Sequence, residues 1–346
     1  MKRTGQSGGN MQKLYNDPAR MVDESIVGFV KCYQDQVAHT GCARALKYKS
    51  APVAGKVGIV SGGGSGHDPA FMGYIGKNML DAVAIGDIFT PPSVESFYTA
   101  FKEADAGRGV VCLFGNYVKD IANVRAAIEL AQKDGITVKM VIANEDVANS
   151  DIKSRRGMTG EVLLWKISGA AASLGYSLDE VAAVSNKALK HMRSIGIGLA
   201  SCIIPEVGRP NYVIELGTME IGVGHHGFSS MDTCKLKSAD ATADIMVSEI
   251  LKDMPLAGGE RVAIMISGLG NTMLSEMNIL FSRVHDILAE KKIGIHHSFI
   301  GNFFTSLDMM GVTLTMMSLD DELTRLLDIP AYPVALNDFA YSNHND

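Results

Sequence analysis

Short apolar runs rich in β-branched residues alternate along this chain with longer stretches whose apolar residues recur at helical spacing. This alternation is typical of α/β folds, in which the strands of a sheet are joined by helices that pack on its faces. In the first half of the chain, the pattern predicts a helix over 121–133 and strands over 56–60, 82–85, 110–114 and 138–142.

The same alternation continues to the C-terminus. Two helices are predicted next, one over 161–174 and one that begins after Ser177, which has capping-box spacing to Glu180. Beyond them the pattern predicts helices over 239–251, 273–289 and 320–328. It predicts strands over 199–204, 262–266, 296–300 and 312–317.

The glycine-containing stretch at 194–198 is taken as the boundary between two halves of the chain. The sequence therefore predicts two α/β domains, with mainly parallel or mixed sheets flanked by helices. They cover residues 11–195 and 196–346, and a polar, Gly/Ser-rich mobile extension precedes them at 1–10.

Composition excludes several classes of protein. The net charge of −6 is spread along 346 residues without a basic block, which argues against a nucleic-acid partner. No apolar run approaches the roughly 20 residues that a membrane span needs, so no membrane association is expected. The five cysteines are scattered, with no Cys-x-x-Cys pair, which favours a reducing, cytoplasmic location over a disulfide framework.

A glycine-rich segment, Ser-Gly-Gly-Gly-Ser-Gly-His-Asp-Pro at 61–69, directly follows the first strand of the sheet. Glycines let the backbone approach a ligand and point successive N–H groups into one concavity. Ligands in open α/β sheets bind at the carboxyl ends of strands, where this segment falls. The segment lacks the spacing of a nucleotide-binding loop. Either a tight turn or a binding site is compatible with it.

Two further segments carry candidate chemistry. Asp120 follows the strand 110–114 and is either a general base or the N-cap of the next helix. The glycine-flanked pair His225–His226 suits nucleophilic or acid–base work near neutral pH. Adjacent histidines on a strand point to opposite faces and cannot readily share one ion, and the same holds for the pair at 296–297. No metal site is predicted.

Taken together, these segments resemble the dihydroxyacetone-binding subunit of dihydroxyacetone (glycerone) kinases. The resemblance runs from Met11 nearly to the C-terminus. The matching segments are Leu-Tyr-Asn-Asp-Pro at 14–18, Ala-Pro-Val-Ala-Gly-Lys-Val at 51–57, the loop at 61–69, Gly-Tyr-Ile-Gly at 73–76, Asn116-Tyr117 with Asp120, Arg155-Arg156-Gly157, the run at 222–227 and Thr-Ser-Leu-Asp-Met at 305–309.

The resemblance implies roles for individual residues. His226 would add to the ketone carbon and hold the substrate as a covalent hemiaminal. Asp120 would accept the proton of the substrate hydroxyl, and His67 would bind the substrate and assist proton transfer. Backbone groups of the glycine loop would contact the substrate at Gly64, Ser65 and Gly66. Arg155 and Arg156 are interpreted as structural or partner-facing.

The resemblance also implies partners. The ligand would be dihydroxyacetone or a similar short ketose, and no cofactor is expected in this chain. Mg-ADP or Mg-ATP would be bound by a separate nucleotide-binding kinase subunit, which in the ADP-based systems is recharged by a phosphotransferase-system protein. A homodimer is also implied.

Two departures from the family pattern open alternatives. The family's lysine before Asn-Tyr is replaced by Gly115, and Lys119 is expected to point elsewhere. The acidic and proline positions after the nucleophile are replaced in the segment 227–230. One alternative is a catalytically silent ketone-binding protein that acts as co-activator of a transcription regulator. The other is a kinase subunit for a four-carbon ketose, with Gly115 leaving the space for it.

Overall fold

The computed structural model describes residues 13–210, 212–227 and 230–336. The predicted mobile extension at 1–10 lies outside the described residues, as do Phe228 and Ser229 in the segment after the histidine pair. Within the described ranges, no helix is both long and apolar enough to cross a bilayer.

The first half of the chain forms a six-stranded sheet with the order β1-β2-β5-β3-β6-β7. Strands β3, β5, β6 and β7 are parallel to one another, and the short β1 and β2 add an antiparallel edge. The strands are β1 (Val37–His39), β2 (Ala45–Tyr48), β3 (Gly58–Ser65), β4 (Gly76–Lys77, outside this sheet), β5 (Ala82–Ile88), β6 (Val110–Gly115) and β7 (Val138–Ala143).

Five helices accompany this sheet: α1 (Met21–Cys32), α2 (Val94–Ala104), α3 (Val118–Lys133), α4 (Gly160–Ser173) and α5 (Leu178–Lys190). The capping box predicted at Ser177 and Glu180 is present at the start of α5. Helix α3 begins at Val118 with Tyr117 as its N-cap, so Asp120 lies in the first turn. The interpretation of Asp120 as the N-cap is therefore wrong.

The second half forms a mixed sheet with the order β12-β11-β8-β15-β13-β14, in which only the pair β13–β14 is parallel. Its elements and the short strands near them are β8 (Met192–Ala200), β9 (Ile203–Ile204), β10 (Arg209–Pro210), β11 (Thr218–Ile221), β12 (Asp232–Lys235), α6 (Ala239–Asp253), β13 (Arg261–Gly268), α7 (Leu274–Glu290), β14 (Gly294–Gly301), β15 (Met310–Leu319), α8 (Asp321–Leu327) and β16 (Tyr332–Pro333).

The two sheets and their helices stack as five layers. Adjacent residues of a strand face opposite sides of its sheet, so Val60 packs with α2 and α3 while Ile59 packs with α4. In the second sheet, Ala263 faces the same central layer, and Ile264 packs with α6 and α7 on the outer face. Helices α4 and α5 therefore lie between the sheets, and every residue of α4 except Ser173 is buried.

The boundary predicted between residues 195 and 196 falls inside strand β8, which begins at Met192. Within this strand, a Cβ at Gly196 would be 2.2 Å from the carbonyl oxygen of Val223, so the position needs glycine. The chain also returns to its first half, where β16 pairs with β4 through Tyr332 and Lys77. The two α/β halves are thus joined by a shared central layer.

Candidate functional site

A cavity of 280 Å³ opens where three parallel strands of the first sheet end and the turn after β11 meets them. This is the edge at which parallel α/β sheets bind ligands. The lining includes all three predicted catalytic side chains together with residues from both halves of the chain. Those that carry the chemistry are Gly64, His67, Asp120, Glu161, His225 and His226.

His67 is held in one tautomer. Its Nδ1 lies 2.8 Å from the carbonyl oxygen of Thr305, and because that oxygen can only accept, Nδ1 carries the hydrogen. Burial, and then the charge of nearby His226, lowers the pKa of His67 to about 3, so its Nε2 offers a lone pair at neutral pH. That lone pair faces Nε2 of His226 at 3.2 Å. Nε2 of His226 therefore donates in this contact.

His226 lies in a tight turn that begins after β11. Burial, followed by the charge of Arg156, lowers the pKa of His226 to about 4, which leaves a neutral imidazole at physiological pH. The turn is held by Arg156, which donates to buried Asp146 at 2.8 Å and to the carbonyl of Gly222 at 3.0 Å. Gly227 has a φ of +74°, and a Cβ there would overlap Tyr212. The flanking glycines thus permit the turn.

His225 belongs to the same site but has a different environment. It is buried, and its Nε2 lies 3.3 Å from Oγ1 of Thr159. Its ring centroid is 5.7 Å from that of His67 and 4.5 Å from that of Phe304. Burial, with the charges of the two other histidines and Arg156, lowers the pKa of His225 well below its usual value. His225 therefore packs beneath the site as a neutral, hydrogen-bonded ring.

Asp120 lies on the cavity wall in the first turn of α3. Burial raises the pKa of its carboxyl to about 6, against the lowering effect of a backbone hydrogen bond. The carboxylate is therefore ionised at pH 7 but has a basicity closer to that of an imidazole. This is the range in which general bases work best near neutral pH.

Glu161 is a site residue that the sequence reasoning missed. It is buried on the cavity wall, and its Oε2 has no hydrogen-bond partner among the described residues. Burial, and then the charges of Glu145 and Asp120, raises the pKa of Glu161 well above its usual value. The sequence did carry a signal for this residue. Glu161 is an acidic residue in the first turn of α4, where the residues that follow it are apolar.

Glu161 also explains the glycine at position 115. A Cβ at Gly115 would lie 2.8 Å from Oε1 of Glu161 and 2.8 Å from Cε2 of Tyr117. Any side chain at position 115 would therefore meet Glu161 and Tyr117, whereas Gly115 lines the cavity without contacting them in this way. Lys119 is exposed and belongs to the cavity lining beside Asp120.

The glycine segment is placed differently from its prediction. Residues 61–65 continue strand β3 instead of forming a loop. At Gly63 a Cβ would lie 2.3 Å from the ring of Phe71, so this part of the strand needs glycine. Gly64 lines the cavity. Ser65 donates to the carbonyl of Gly86, and the Gly66 carbonyl accepts from Leu307, so these two residues serve local structure in the described chain.

The two arginines have structural contacts. Arg155 forms a two-point ion pair with Asp253 at 2.9 and 2.6 Å, and Arg156 pairs with Asp146. These ion pairs within the chain account for the positions of both arginine side chains without a partner subunit. Asn116, which follows the glycine, donates to the carbonyl of Arg155 at 2.8 Å and so ties this segment to the strand end.

The histidine pair at 296–297 does not point to opposite faces of its strand, contrary to the expectation from the sequence. Nε2 of His296 and Nε2 of His297 both contact Oδ1 of Asp328, at 2.7 and 2.9 Å. The two rings therefore lie on one side of β14. A bulge in this strand is the cause, since Val262 pairs with Ile295 and the next residue, Ala263, pairs with His297.

Comparison with known proteins identifies relatives over nearly the whole chain. The chain is 36% identical over 322 residues to the dihydroxyacetone-binding subunit DhaK of PTS-dependent dihydroxyacetone kinase 2 from Listeria innocua, covering 92% of this chain and 97% of the relative. It is 35% identical to the same subunit of the PEP-dependent kinase from Escherichia coli, covering 94% and 99%. It is also 35% identical to the L-erythrulose 1-kinase of Mycolicibacterium smegmatis, covering 93% and 58%.

Comparison with solved structures finds proteins of the same kind. The dihydroxyacetone kinase of C. freundii superposes with a TM-score of 0.84 at 29% identity, covering 93% of this chain and 60% of that one. The dihydroxyacetone kinase operon co-activator DhaQ superposes with a TM-score of 0.85 at 27% identity, covering 90% and 97%. A family model described as the Dak1 domain matches residues 27–335. The chain therefore belongs to the Dak1 domain family of dihydroxyacetone kinases and their relatives.

Proposed function

We propose that this chain is the substrate-binding subunit of a dihydroxyacetone kinase and that His226 holds the ketone as a covalent hemiaminal. The observation that carries the proposal is the contact of 3.2 Å between Nε2 of His67 and Nε2 of His226, with the opposite nitrogen of His67 bonded to the Thr305 carbonyl. This arrangement supplies a neutral nucleophile and a neutral base of fixed tautomer beside one cavity.

Hemiaminal formation then needs no other reactant. As Nε2 of His226 forms a bond to the carbonyl carbon, its proton passes to Nε2 of His67. The carbonyl π electrons move to oxygen, and His67 returns the proton to that oxygen, which becomes the hemiaminal hydroxyl. Because burial and the charge of His226 lower the pKa of His67 to about 3, its protonated form favours return of the proton to the oxygen. Polyols such as glycerol have no carbonyl carbon and would not be trapped.

Asp120 and Glu161 are assigned to the hydroxyl groups of the bound ketose. The Asp120 carboxylate, with a pKa of about 6, accepts the proton of the terminal hydroxyl as that oxygen attacks a phosphoryl group. The Glu161 carboxyl has an unpartnered oxygen at the same cavity, which is assigned a hydrogen bond with a hydroxyl group of the substrate. Covalent attachment keeps the reacting hydroxyl in place between these groups.

The phosphoryl donor is assigned to a separate nucleotide-binding subunit that carries Mg-ADP or Mg-ATP. Support comes from the Listeria and Escherichia relatives, which are named as subunits of PTS- and PEP-dependent kinases and match this chain over 97% and 99% of their length. Lys119 at the cavity lining is the cation of this chain that would meet the incoming phosphoryl group, in place of the lysine lost at Gly115. The proposal also includes a homodimer of this chain.

A second candidate is a co-activator of a transcription regulator that binds the ketone without phosphorylating it. The glycine at 115, which Glu161 and Tyr117 leave no room to replace, favours this function because it removes a cation beside the substrate. The superposition on DhaQ, which covers 97% of that co-activator, also favours it. The relative named L-erythrulose 1-kinase supports a four-carbon ketose as an alternative substrate, and Gly115 lies on the cavity lining.

The test is a reconstituted reaction. The protein is mixed with its nucleotide-binding subunit, and phosphorylation of dihydroxyacetone and of erythrulose is followed by a coupled assay. We expect turnover that His226→Ala abolishes, and the matched control His285→Ala, at an exposed position on α7, should retain it. Ketone binding without turnover, whichever kinase partner is supplied, would establish the co-activator instead. Absence of ketone binding would contradict both functions.

A further inference from the structure

Two consecutive histidines on the edge strand β14 converge on one carboxylate, and none of these three residues lines the ketose cavity. His296 and His297 contact the same oxygen of Asp328, and their ring centroids are 4.6 Å apart. Consecutive residues of a regular strand point to opposite faces. The bulge at this point of β14 removes that alternation and directs both rings to Asp328.

The three donor atoms have the chemistry and spacing of a metal site. Two imidazole nitrogens and one carboxylate oxygen, one from each residue, all lie within 4.8 Å of one another. Zinc takes this donor set, and at Zn–N distances near 2.0–2.1 Å neighbouring ligands of a tetrahedral ion are about 3.3 Å apart. Nε2 of His296 and Nε2 of His297 now lie 2.7 and 2.9 Å from the Asp328 oxygen. Each of these two distances would have to increase by less than about 1 Å for the ion to bind between the atoms.

Accessibility also fits an ion from solution. The side chains of His296 and His297 are 14% and 20% exposed, and that of Asp328 is 41% exposed. The two rings are thus held by packing while the carboxylate remains open to water. We propose that His296, His297 and Asp328 form a three-ligand site for a divalent transition metal such as Zn²⁺, with a water molecule completing the coordination.

The site would connect two parts of the fold. Asp328 is the C-cap of α8, and the chain then returns to the first half of the molecule. The carbonyl of Ile329 accepts from Nζ of Lys166 at 3.1 Å, and that of Pro330 accepts from Nδ2 of Asn78 at 2.8 Å. An ion bound at Asp328 would therefore link edge strand β14 to the segment that joins the two halves. A ligand that binds only the folded state raises the midpoint of thermal unfolding.

The experiment measures binding of Zn²⁺ alone to full-length protein freed of metal with a chelator. Isothermal titration is expected to give one equivalent per chain, and saturating Zn²⁺ should raise the unfolding midpoint. His296→Gln and Asp328→Asn should each weaken binding at least tenfold and remove the thermal shift. His285→Gln and Cys32→Ser, both at exposed positions, are the matched controls and should bind as the unaltered chain does.

Substitution of Co²⁺ reports directly on the type of ligand atoms in the unaltered protein. Nitrogen and oxygen ligation gives visible ligand-field bands without the thiolate charge-transfer band that a cysteine ligand would add. Bands of the first kind, lost in His297→Gln, would support the site. Failure to bind either ion, a thiolate band, or binding that survives in both His296→Gln and Asp328→Asn would overturn the proposal.

Discussion

The replacement His67→Gln tests whether His67 acts as the base in ketone trapping. His67 is only 3% exposed and packs against Phe89 and Phe304, with ring centroids at 5.2 and 5.1 Å. Glutamine keeps most of this volume and can still hydrogen-bond, but it cannot take a proton from His226. General-base catalysis contributes about 10²–10⁴-fold, so adduct formation should slow by this factor, which corresponds to about 3–5 kcal/mol in the activation free energy.

The rate is measured by native mass spectrometry of samples quenched at intervals after dihydroxyacetone is added. The mass gained should equal that of the whole ketone, because hemiaminal formation releases no water. The control is His191→Gln, the same change at a histidine that bonds Ser318 away from the cavity. If His67→Gln forms the adduct within threefold of the unaltered rate while remaining folded by circular dichroism, the assignment of His67 as the base is wrong.

Two further predictions concern phosphoryl transfer. Because Asp120 must be ionised to accept a proton, kcat/KM for the ketose should fall tenfold per pH unit below a pKa of about 6, and Asp120→Asn should be nearly inactive at every pH, as read from initial rates between pH 5 and 8. A profile without this acid limb would contradict the role. Lys119→Ala should lower kcat by about 10²-fold without changing adduct formation, whereas Lys119→Arg should retain most activity; equal loss in both steps would place Lys119 elsewhere.

The elements of the fold were predictable because their signals are local. The strands β5, β6 and β7 extend the predicted runs at their C-terminal ends by one to three residues, as the runs at 82–85, 110–114 and 138–142 show. Capping chemistry at Ser177 also acts over one helical turn and was predicted correctly. The five-layer arrangement was not predictable, because it depends on which face of each sheet covers α4.

Glycines were the main source of error. Glycine-rich segments suggest turns, but Gly63 and Gly196 both lie inside strands. In each case a neighbour, the ring of Phe71 or the carbonyl of Val223, occupies the space that a Cβ would need. Such close approaches join residues distant in sequence, so a single sequence does not distinguish them from turns. The stretch at 194–198, which suggested a boundary, lies within strand β8.

The grouping of three candidate residues around one cavity was predictable because each belongs to a motif. His67, Asp120 and His226 line one cavity, as the family resemblance implied. Glu161 was missed because its importance comes from burial beside Asp120, which only the folded chain reveals. The convergence of His296 and His297 on Asp328 was missed because the bulge that aligns them has no signal in the local sequence.

The most direct test of the account is the state of the ketone carbon in the saturated complex. The protein is labelled with ¹⁵N at histidine, and [2-¹³C]dihydroxyacetone is added. The account predicts a tetrahedral carbon resonance with a one-bond coupling to ¹⁵N that is lost in His226→Ala and retained in His285→Ala. A bound ketone that keeps its carbonyl resonance, or a tetrahedral carbon without coupling to nitrogen, would contradict the account.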